Sequence, residues 1–81
     1  MELTENDIIN FISKIISEEG NLNEEDIKPE DTFFELGLDS ISAIYLMELV
    51  ENEYQITLNP ILFWDYPSIQ SFSNKIFTDH F

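Results

Sequence analysis

Apolar residues recur along the chain at helical spacing, in segments separated by polar and turn-forming residues. In the first segment they fall at positions i, i+3, i+4, i+7 and i+8, the pattern of one buried helix face: Ile8, Phe11, Ile12, Ile15 and Ile16. Thr4 is placed to cap this helix, with Leu3 packing on Ile8. Gly20 suits the left-handed position that follows a helix. The pattern predicts a first helix that begins after Thr4 and ends within residues 18–21.

A long connection follows, over residues 21–38. Loops of this length inside a small domain usually hold local structure or function. Five apolar residues are available to anchor this one against the core: Ile27, Phe33, Phe34, Leu36 and Leu38. We therefore expect an ordered connection, with a short helical turn around Thr32–Leu36.

The second helix is predicted from Ser40 to Tyr54, with Asp39 as its N-cap. One side of it suits the core: Ala43, Leu46, Met47, Val50 and Tyr54. Another side begins at Ser40 and is expected to be exposed: Ile41, Ile44, Tyr45 and Glu48. An exposed apolar patch rimmed by acids is typical of a partner-binding surface. The alternative is that the surrounding helices bury both sides.

Two more helices complete the predicted fold. Asn59 and Pro60 have the order of a cap followed by proline at the first helical position, which opens a short third helix through Trp64. The inner face of a last helix carries Ile69, Phe72, Ile76 and Phe77. Residues 54–58 alternate like a strand but have no partner strand, so they are interpreted as an extended linker. The sequence predicts an all-α four-helix bundle that forms a single domain over residues 1–81.

Length and composition limit the functions open to this chain. A domain of 81 residues buries only about 60–65% of its unfolded surface, which leaves too little interior for a deep substrate cleft. The absence of Cys excludes disulfides and thiolate metal sites. There is no signal-peptide pattern and no apolar run long enough to span a bilayer, so we expect a cytoplasmic protein without a membrane partner. Met1 close to a well-capped helix favours a free-standing protein over an excised domain.

The charge is strongly negative. Seventeen acids against three Lys and no Arg give a net charge of −14. Residues 29–74 contain no Lys or Arg but eight acids: Glu30, Asp31, Glu35, Asp39, Glu48, Glu51, Glu53 and Asp65. Such a surface repels nucleic acid and favours basic protein partners, although solubility alone would also explain its sign.

Self-contained catalytic chemistry finds no support in the sequence. The one histidine, His80, lies next to the C-terminus, which argues against a Ser-His-Asp triad. One histidine with scattered carboxylates does not make a transition-metal site. Gly20 and Gly37 are the only glycines, so a phosphate-binding glycine loop is excluded. We expect neither a catalytic residue nor a metal site.

Ser40 is the remaining candidate. It follows Gly37, Leu38 and Asp39, which puts a primary hydroxyl on the first turn of a helix. With no neighbouring base it would be inert as a nucleophile, but an acceptor modified by another enzyme needs only exposure and a recognisable helix. A phosphodiester at this position would lie near the positive end of the helix dipole, worth about 0.3–1 kcal/mol and partly offset by Asp39.

Three segments resemble the acyl and peptidyl carrier proteins. Residues 31–41, DTFFELGLDSI, are similar to the phosphopantetheine attachment motif of that family with its preceding loop. Residues 56–60, ITLNP, and 62–69, LFWDYPSI, resemble the third-helix region of carrier domains in modular polyketide synthases. The match covers most of the chain in the family's order and spacing.

The resemblance implies a function. Ser40, with Asp39 as the helix cap beside it, would be esterified with 4′-phosphopantetheine from coenzyme A by a Mg-dependent phosphopantetheinyl transferase. The thiol of this arm would carry acyl groups as thioesters to a ketosynthase, acyltransferase, thioesterase or other pathway enzyme with a basic docking surface. The family's partner surface, carried over by position, falls on Ile41, Ile44, Tyr45, Glu48 and Glu51. The protein would be a monomeric, non-catalytic carrier.

Several alternatives remain open on the sequence. Tyr45 stands where carriers of fatty-acid synthesis commonly have an acid, and with the LFWDYP run it favours polyketide or mixed peptide–polyketide assembly. A peptidyl carrier and a fatty-acid-synthesis carrier are the alternatives within the family. From other classes, the alternatives are an acidic interaction module without a prosthetic arm and a small hydrolase that uses Ser40.

Overall fold

The computed structural model describes residues 2–81 and shows an all-α fold. The helices are α1 (Glu5–Gly20), α2 (Ser40–Tyr54), α3 (Leu62–Asp65) and α4 (Ile69–His80), and a 3-10 helix, Glu24–Asp26, follows α1. The predicted four-helix architecture, with its long connection and short third helix, is confirmed. The expectation drawn from Met1 lies outside the described residues.

α1 begins as predicted and ends differently. The Thr4 side chain accepts a hydrogen bond from the Asp7 N–H, and the Asp7 carboxylate accepts one from the Thr4 N–H at 2.9 Å. The prediction for Gly20 is wrong, because Gly20 is the last helical residue and Asn21 takes the left-handed conformation with φ 55°. Asparagine tolerates that conformation since its short polar side chain can hydrogen-bond locally. The buried face is confirmed except that Phe11 is half-buried.

The connection between α1 and α2 is ordered and attached to the start of α4. The Phe33 N–H donates to the Pro67 carbonyl at 2.9 Å, and the Ile69 N–H donates to the Asp31 carbonyl at 3.1 Å. The chain then turns over residues 33–37, in agreement with the predicted turn, and Gly37 completes the turn with φ 90°. These bonds fix the direction in which the chain enters α2.

α2 has the predicted bounds and the predicted inner face. Ala43, Leu46, Met47 and Val50 are buried, and Tyr54 is half-buried with its ring edge-on to Phe11 at 5.5 Å. The opposite side of the helix is exposed. α2 is therefore packed along one face and open along the other, which rejects the alternative that both sides are buried.

The predicted start of α3 is too early. The Leu62 N–H donates to the Asn59 carbonyl at 2.9 Å and the Asn59 carboxamide oxygen accepts from the Ile61 N–H at 3.0 Å, so residues 59–61 form a turn before the helix. The linker before this turn is shorter than predicted, because Tyr54 is the last residue of α2 and Gln55 is left-handed with φ 55°, which leaves residues 56–58 outside helix and strand. α4 starts with a capping box between Ser68 and Ser71. Its inner face is confirmed for Ile69, Phe72 and Ile76, with Ser73 buried as well, whereas Phe77 is half-buried.

Three aromatic rings join the connection to α3 and α4. The Phe33 ring stacks on Phe63 with centroids 4.7 Å apart and meets Phe72 edge-on at 5.4 Å. All three side chains are fully buried or nearly so. Edge-to-face and offset-stacked pairs of this kind contribute about 0.5–1.5 kcal/mol each beyond their buried area. The rings therefore link α3 and α4 through the connection.

Candidate functional site

Ser40 is the first residue of a helix that Asp39 caps. Asp39 has extended backbone angles, and its carboxylate accepts a hydrogen bond from the Ser42 N–H at 2.9 Å. The Asp39 carbonyl accepts the first helical bond, from the Ala43 N–H at 2.9 Å. The backbone N–H of Ser42, helped by the Ser42 hydroxyl, holds the pKa of Asp39 below its ordinary value of 3.8. Asp39 is therefore ionised at neutral pH, and the start of α2 is fixed at Ser40.

Ser40 is exposed and lines a shallow groove between α2 and α3. The groove has a volume of about 100 Å³, and Ser40 is its only polar lining residue; the others are Ala43, Ile44, Met47, Pro60, Phe63 and Trp64. No acid or base lines it, so the groove offers nothing that would deprotonate the hydroxyl. His80 is the exposed last residue of α4 and does not line this groove. The arrangement suits a hydroxyl that an external enzyme modifies.

The four α2 side chains predicted to be exposed are exposed. Ile41 is 79% accessible, Ile44 is 55% and Tyr45 is 44%, and Glu48 is also exposed. Together they form a mixed apolar and acidic strip that starts beside Ser40. We call these four residues the α2 strip.

Glu51 differs from the α2 strip. Its side chain is half-buried, and its carboxylate accepts a hydrogen bond from the Leu58 N–H at 2.9 Å. This bond ties the end of α2 to the linker that leads to α3. The Glu51 carboxylate therefore has a hydrogen-bond donor within the chain. Its expected role in binding other proteins came from its position on α2.

Two aromatic residues near Ser40 are exposed. Phe34 was expected to anchor the connection in the core but is 53% exposed, and Trp64 is 58% exposed. Each follows a buried phenylalanine, Phe33 or Phe63, in a tight turn or a short helix. Adjacent side chains in such segments point in different directions, so only one of each pair reaches the core. The doublets Phe33-Phe34 and Phe63-Trp64 were the signal in the sequence that sequence reasoning missed.

Among residues 2–81, no three His, Cys, Asp or Glu residues lie close enough together to hold a metal ion. Within the same range, none of the helices is both long enough and apolar enough to cross a membrane.

A family model described as "Phosphopantetheine attachment site" matches residues 10–76. Polyketide synthase 2 of Metarhizium acridum is 32% identical over 68 residues, which cover 84% of this chain and 4% of that protein. Mycoketide-CoA synthase of Mycobacterium tuberculosis is 32% identical over 60 residues, covering 74% of this chain and 1% of that protein. The chain therefore spans only a few per cent of the length of these curated relatives.

Solved structures of carrier proteins share the fold. A free-standing peptidyl carrier protein from Acinetobacter baumannii superposes with a TM-score of 0.85 and 28% identity, covering 93% of this chain and 94% of that one. The HMG-ACPI domain of the CurA module from Lyngbya majuscula gives a TM-score of 0.81 and 25% identity, covering 90% of this chain and 74% of that one. The matched family implies a covalently attached 4′-phosphopantetheine. The chain belongs to the phosphopantetheine attachment site family, as a carrier protein close to those of polyketide synthases.

Proposed function

We propose that Ser40 carries the 4′-phosphopantetheine arm and that residues 1–81 act as a single carrier domain. The observation that supports this most is the exposed hydroxyl at the start of the capped helix α2, within the matched residues 10–76. The domain would hold acyl or polyketide intermediates as thioesters and present them to biosynthetic enzymes.

The surroundings of Ser40 fit the group. Its side chain is accessible, so a phosphodiester can form without displacing a neighbour. The first turn of α2 carries the positive end of the helix dipole, which favours the phosphodiester charge, while the ionised Asp39 partly opposes it. When bound, the arm supplies a thiol, which a chain without Cys cannot provide itself.

The modification needs an external enzyme. The Ser40 Oγ forms a bond to phosphorus while a P–O bond in the pyrophosphate of coenzyme A breaks, and adenosine 3′,5′-bisphosphate leaves. The serine proton must pass to a base, and the groove that Ser40 lines contains none. The base therefore belongs to the phosphopantetheinyl transferase. The role of this chain is to hold the hydroxyl in place, through the Asp39 cap and the packed inner face of α2.

The α2 strip would be the surface for pathway enzymes, such as a ketosynthase, acyltransferase or thioesterase with a basic docking surface. Its apolar members would supply contact area, while Glu48 would attract basic residues. Glu51 would contribute less than Glu48, because its carboxylate is already hydrogen-bonded to Leu58. The chain itself would carry out no catalysis, in keeping with a family whose members are generally non-catalytic.

A polyketide-type cargo is favoured over a peptidyl one. The curated relatives described above are polyketide synthases or make a mycoketide, according to their names. Tyr45, in place of an acid on α2, points in the same direction. The second candidate is a peptidyl carrier, which the similarity to the Acinetobacter baumannii protein supports.

Intact mass spectrometry tests the attachment. After incubation with coenzyme A, Mg²⁺ and a promiscuous phosphopantetheinyl transferase, the wild-type protein should gain the mass of one phosphopantetheine. Ser40→Ala should gain nothing, whereas Ser42→Ala, which removes the next exposed serine of the same turn, should still be modified. An unmodified wild type, or a gain that survives Ser40→Ala, would rule out the proposed function.

A second assay separates a carrier from a hydrolase. The unmodified protein is incubated with an activated ester such as p-nitrophenyl acetate, and Ser40→Ala serves as the control. We expect no turnover above that of the variant, because no base contacts Ser40. Hydrolysis that depends on Ser40 would favour the hydrolase.

A further inference from the structure

Two exposed aromatic side chains beside Ser40 are held in a fixed arrangement. Phe34 and Trp64, here called the aromatic pair, lie with ring centroids 5.4 Å apart. Both also contact the buried ring of Phe63, whose centroid lies 5.9 Å from that of Phe34 and 5.7 Å from that of Trp64. More than half of each side chain is nevertheless open to solvent. Phe and Trp side chains are enriched in protein interfaces, and Trp is among the residues that dominate their binding energy.

The position of the pair indicates which partner must cover it. Trp64 lines the same small groove as Ser40. Pathway enzymes need to reach only the far end of a flexible arm, whereas the transferase must bring coenzyme A to the Ser40 oxygen itself. An enzyme that reaches this oxygen covers the immediate surroundings of the groove, including Trp64.

The charges next in sequence to the pair and to Ser40 indicate the chemistry of the partner surface. Phe34 is followed by Glu35 and Trp64 by Asp65, and Asp39 precedes Ser40; all three carboxylates are exposed. There is no Lys or Arg between residues 29 and 74. The complementary surface is an apolar pocket bordered by Lys or Arg side chains.

We propose that the aromatic pair is an anchor for the phosphopantetheinyl transferase, seated in an apolar pocket with a basic border on that enzyme. The proposal rests on the proposed function, because it needs Ser40 to be the residue modified. It extends the docking surface from α2 to the connection before α2 and to α3.

Steady-state kinetics of modification provide the first test. Phe34→Ala and Trp64→Ala should each raise the KM for the carrier about tenfold or more, with kcat unchanged, because the contacts form in the complex before chemistry. Trp64→Phe should restore part of the loss. Phe81→Ala is the matched control, because Phe81 is 54% exposed and its ring packs on that of Tyr54. Tyr54 is the last residue of α2 and lies about 21 Å along the helix from Ser40. The KM of Phe81→Ala should equal that of the wild type.

A purely structural role for the pair makes a different prediction. If Phe34 and Trp64 only shield Phe63, their removal lowers the melting temperature and leaves KM unchanged once folded protein is compared. Melting curves of every variant, recorded beside the kinetics, separate the two roles. Unchanged KM values for both alanine variants would overturn the proposal.

A binding measurement on the unaltered chain avoids any folding defect. Trp64 is the only tryptophan, so 5-fluorotryptophan labelling gives a single ¹⁹F resonance. Adding unlabelled transferase without coenzyme A should shift or broaden this resonance in a saturable way. The transferase concentration should exceed the KM measured for the carrier. If the resonance then stays unchanged, the anchor proposal is overturned. The proposed function still stands in that case, provided that Ser40 is modified. If the wild type accepts no arm at all, both fail.

Discussion

Asp39 and Ser40 are adjacent, but only Asp39 caps α2 with its side chain. The Asp39 carboxylate caps α2 by accepting the hydrogen bond from the Ser42 N–H. The cap therefore does not use the Ser40 hydroxyl, and a modifying enzyme would not have to break it. A serine at the cap position itself would have its hydroxyl occupied by the helix, as happens to Ser68 at the start of α4. The order Asp-Ser thus leaves the Ser40 hydroxyl outside the cap, as the proposed modification requires.

The Asp39 cap should be visible in the acid stability of the protein. The folded-state pKa of Asp39 is lowered, so its charge contributes stability that is present above the ordinary value of 3.8 and is lost as pH falls through the folded-state pKa. Asp39→Asn keeps a capping side chain but removes this titration. The melting temperature of wild type minus that of Asp39→Asn, measured from pH 7 to pH 3, should be largest at neutral pH and shrink in acid.

Glu48→Gln is the control for this experiment, because it removes one exposed negative charge from the same helix without touching the cap. The melting-temperature difference between wild type and Glu48→Gln should not show the decrease in acid that is expected for Asp39→Asn. A melting-temperature difference for Asp39→Asn that is constant with pH would contradict the assigned role.

At the scale of the elements, the capping serine of α4 and a buried serine within it have opposite energetic roles. Ser68 accepts a hydrogen bond from the Ser71 N–H at 3.1 Å and so satisfies the helix start. Ser73 is fully buried, and its hydroxyl finds no hydrogen-bond partner within residues 2–81. An unsatisfied buried polar group opposes folding, so Ser73 reduces the stability that α4 could supply.

The same chemical change should therefore have opposite effects at these positions. Ser73→Ala should raise the free energy of unfolding by about 1–2 kcal/mol, since it removes an unsatisfied hydroxyl and improves helix propensity. Ser68→Ala should lower it by about 1 kcal/mol through loss of the cap. Urea titrations followed by circular dichroism measure both. A destabilised Ser73→Ala would show that its hydroxyl has a partner, such as an ordered water.

The elements also show which parts of the structure the sequence could predict. The bounds and inner face of α2 were predictable, because a capping aspartate and a helical apolar repeat act within one segment. The exposure of Phe34 and Trp64 was not, since it depends on Phe33 and Phe63 filling the shared core between the connection, α3 and α4. The left-handed residue after α1 was misplaced by one position, because glycine and asparagine both tolerate it.

For the candidate site, the sequence predicted Ser40, its cap and an exposed α2 strip from local patterns. It did not predict the internal bond of Glu51, because the partner, Leu58, lies in the linker beyond the helix. Nor did it predict that the connection is pinned to α4, since backbone bonds such as Phe33 to Pro67 join segments far apart in the chain. Contacts between distant segments leave little trace in a single sequence.

At the scale of the whole molecule, the three lysines lie outside residues 29–74, the stretch of sequence that contains Ser40. Lys14 lies on α1, Lys28 in the connection and Lys75 on α4, where it pairs with Asp79 at 3.2 Å. Fourteen uncompensated negative charges repel one another in the folded state and attract basic partners. The two effects respond to salt in opposite ways.

Salt should therefore stabilise the protein and slow its modification. Between about 20 and 500 mM NaCl the Debye length shortens from roughly 20 Å to about 4 Å, which weakens both the repulsion within the fold and the attraction of the transferase. The melting temperature should rise, while kcat/KM for modification of Ser40 should fall.

Ile44→Ala should lower kcat/KM at every salt concentration without changing the salt slope, because it removes apolar contact, whereas Glu48→Gln should make the slope shallower. A modification rate independent of salt would assign recognition to the apolar residues of the α2 strip and the aromatic pair. In that case the acidic surface would serve solubility, and partner choice would depend on shape.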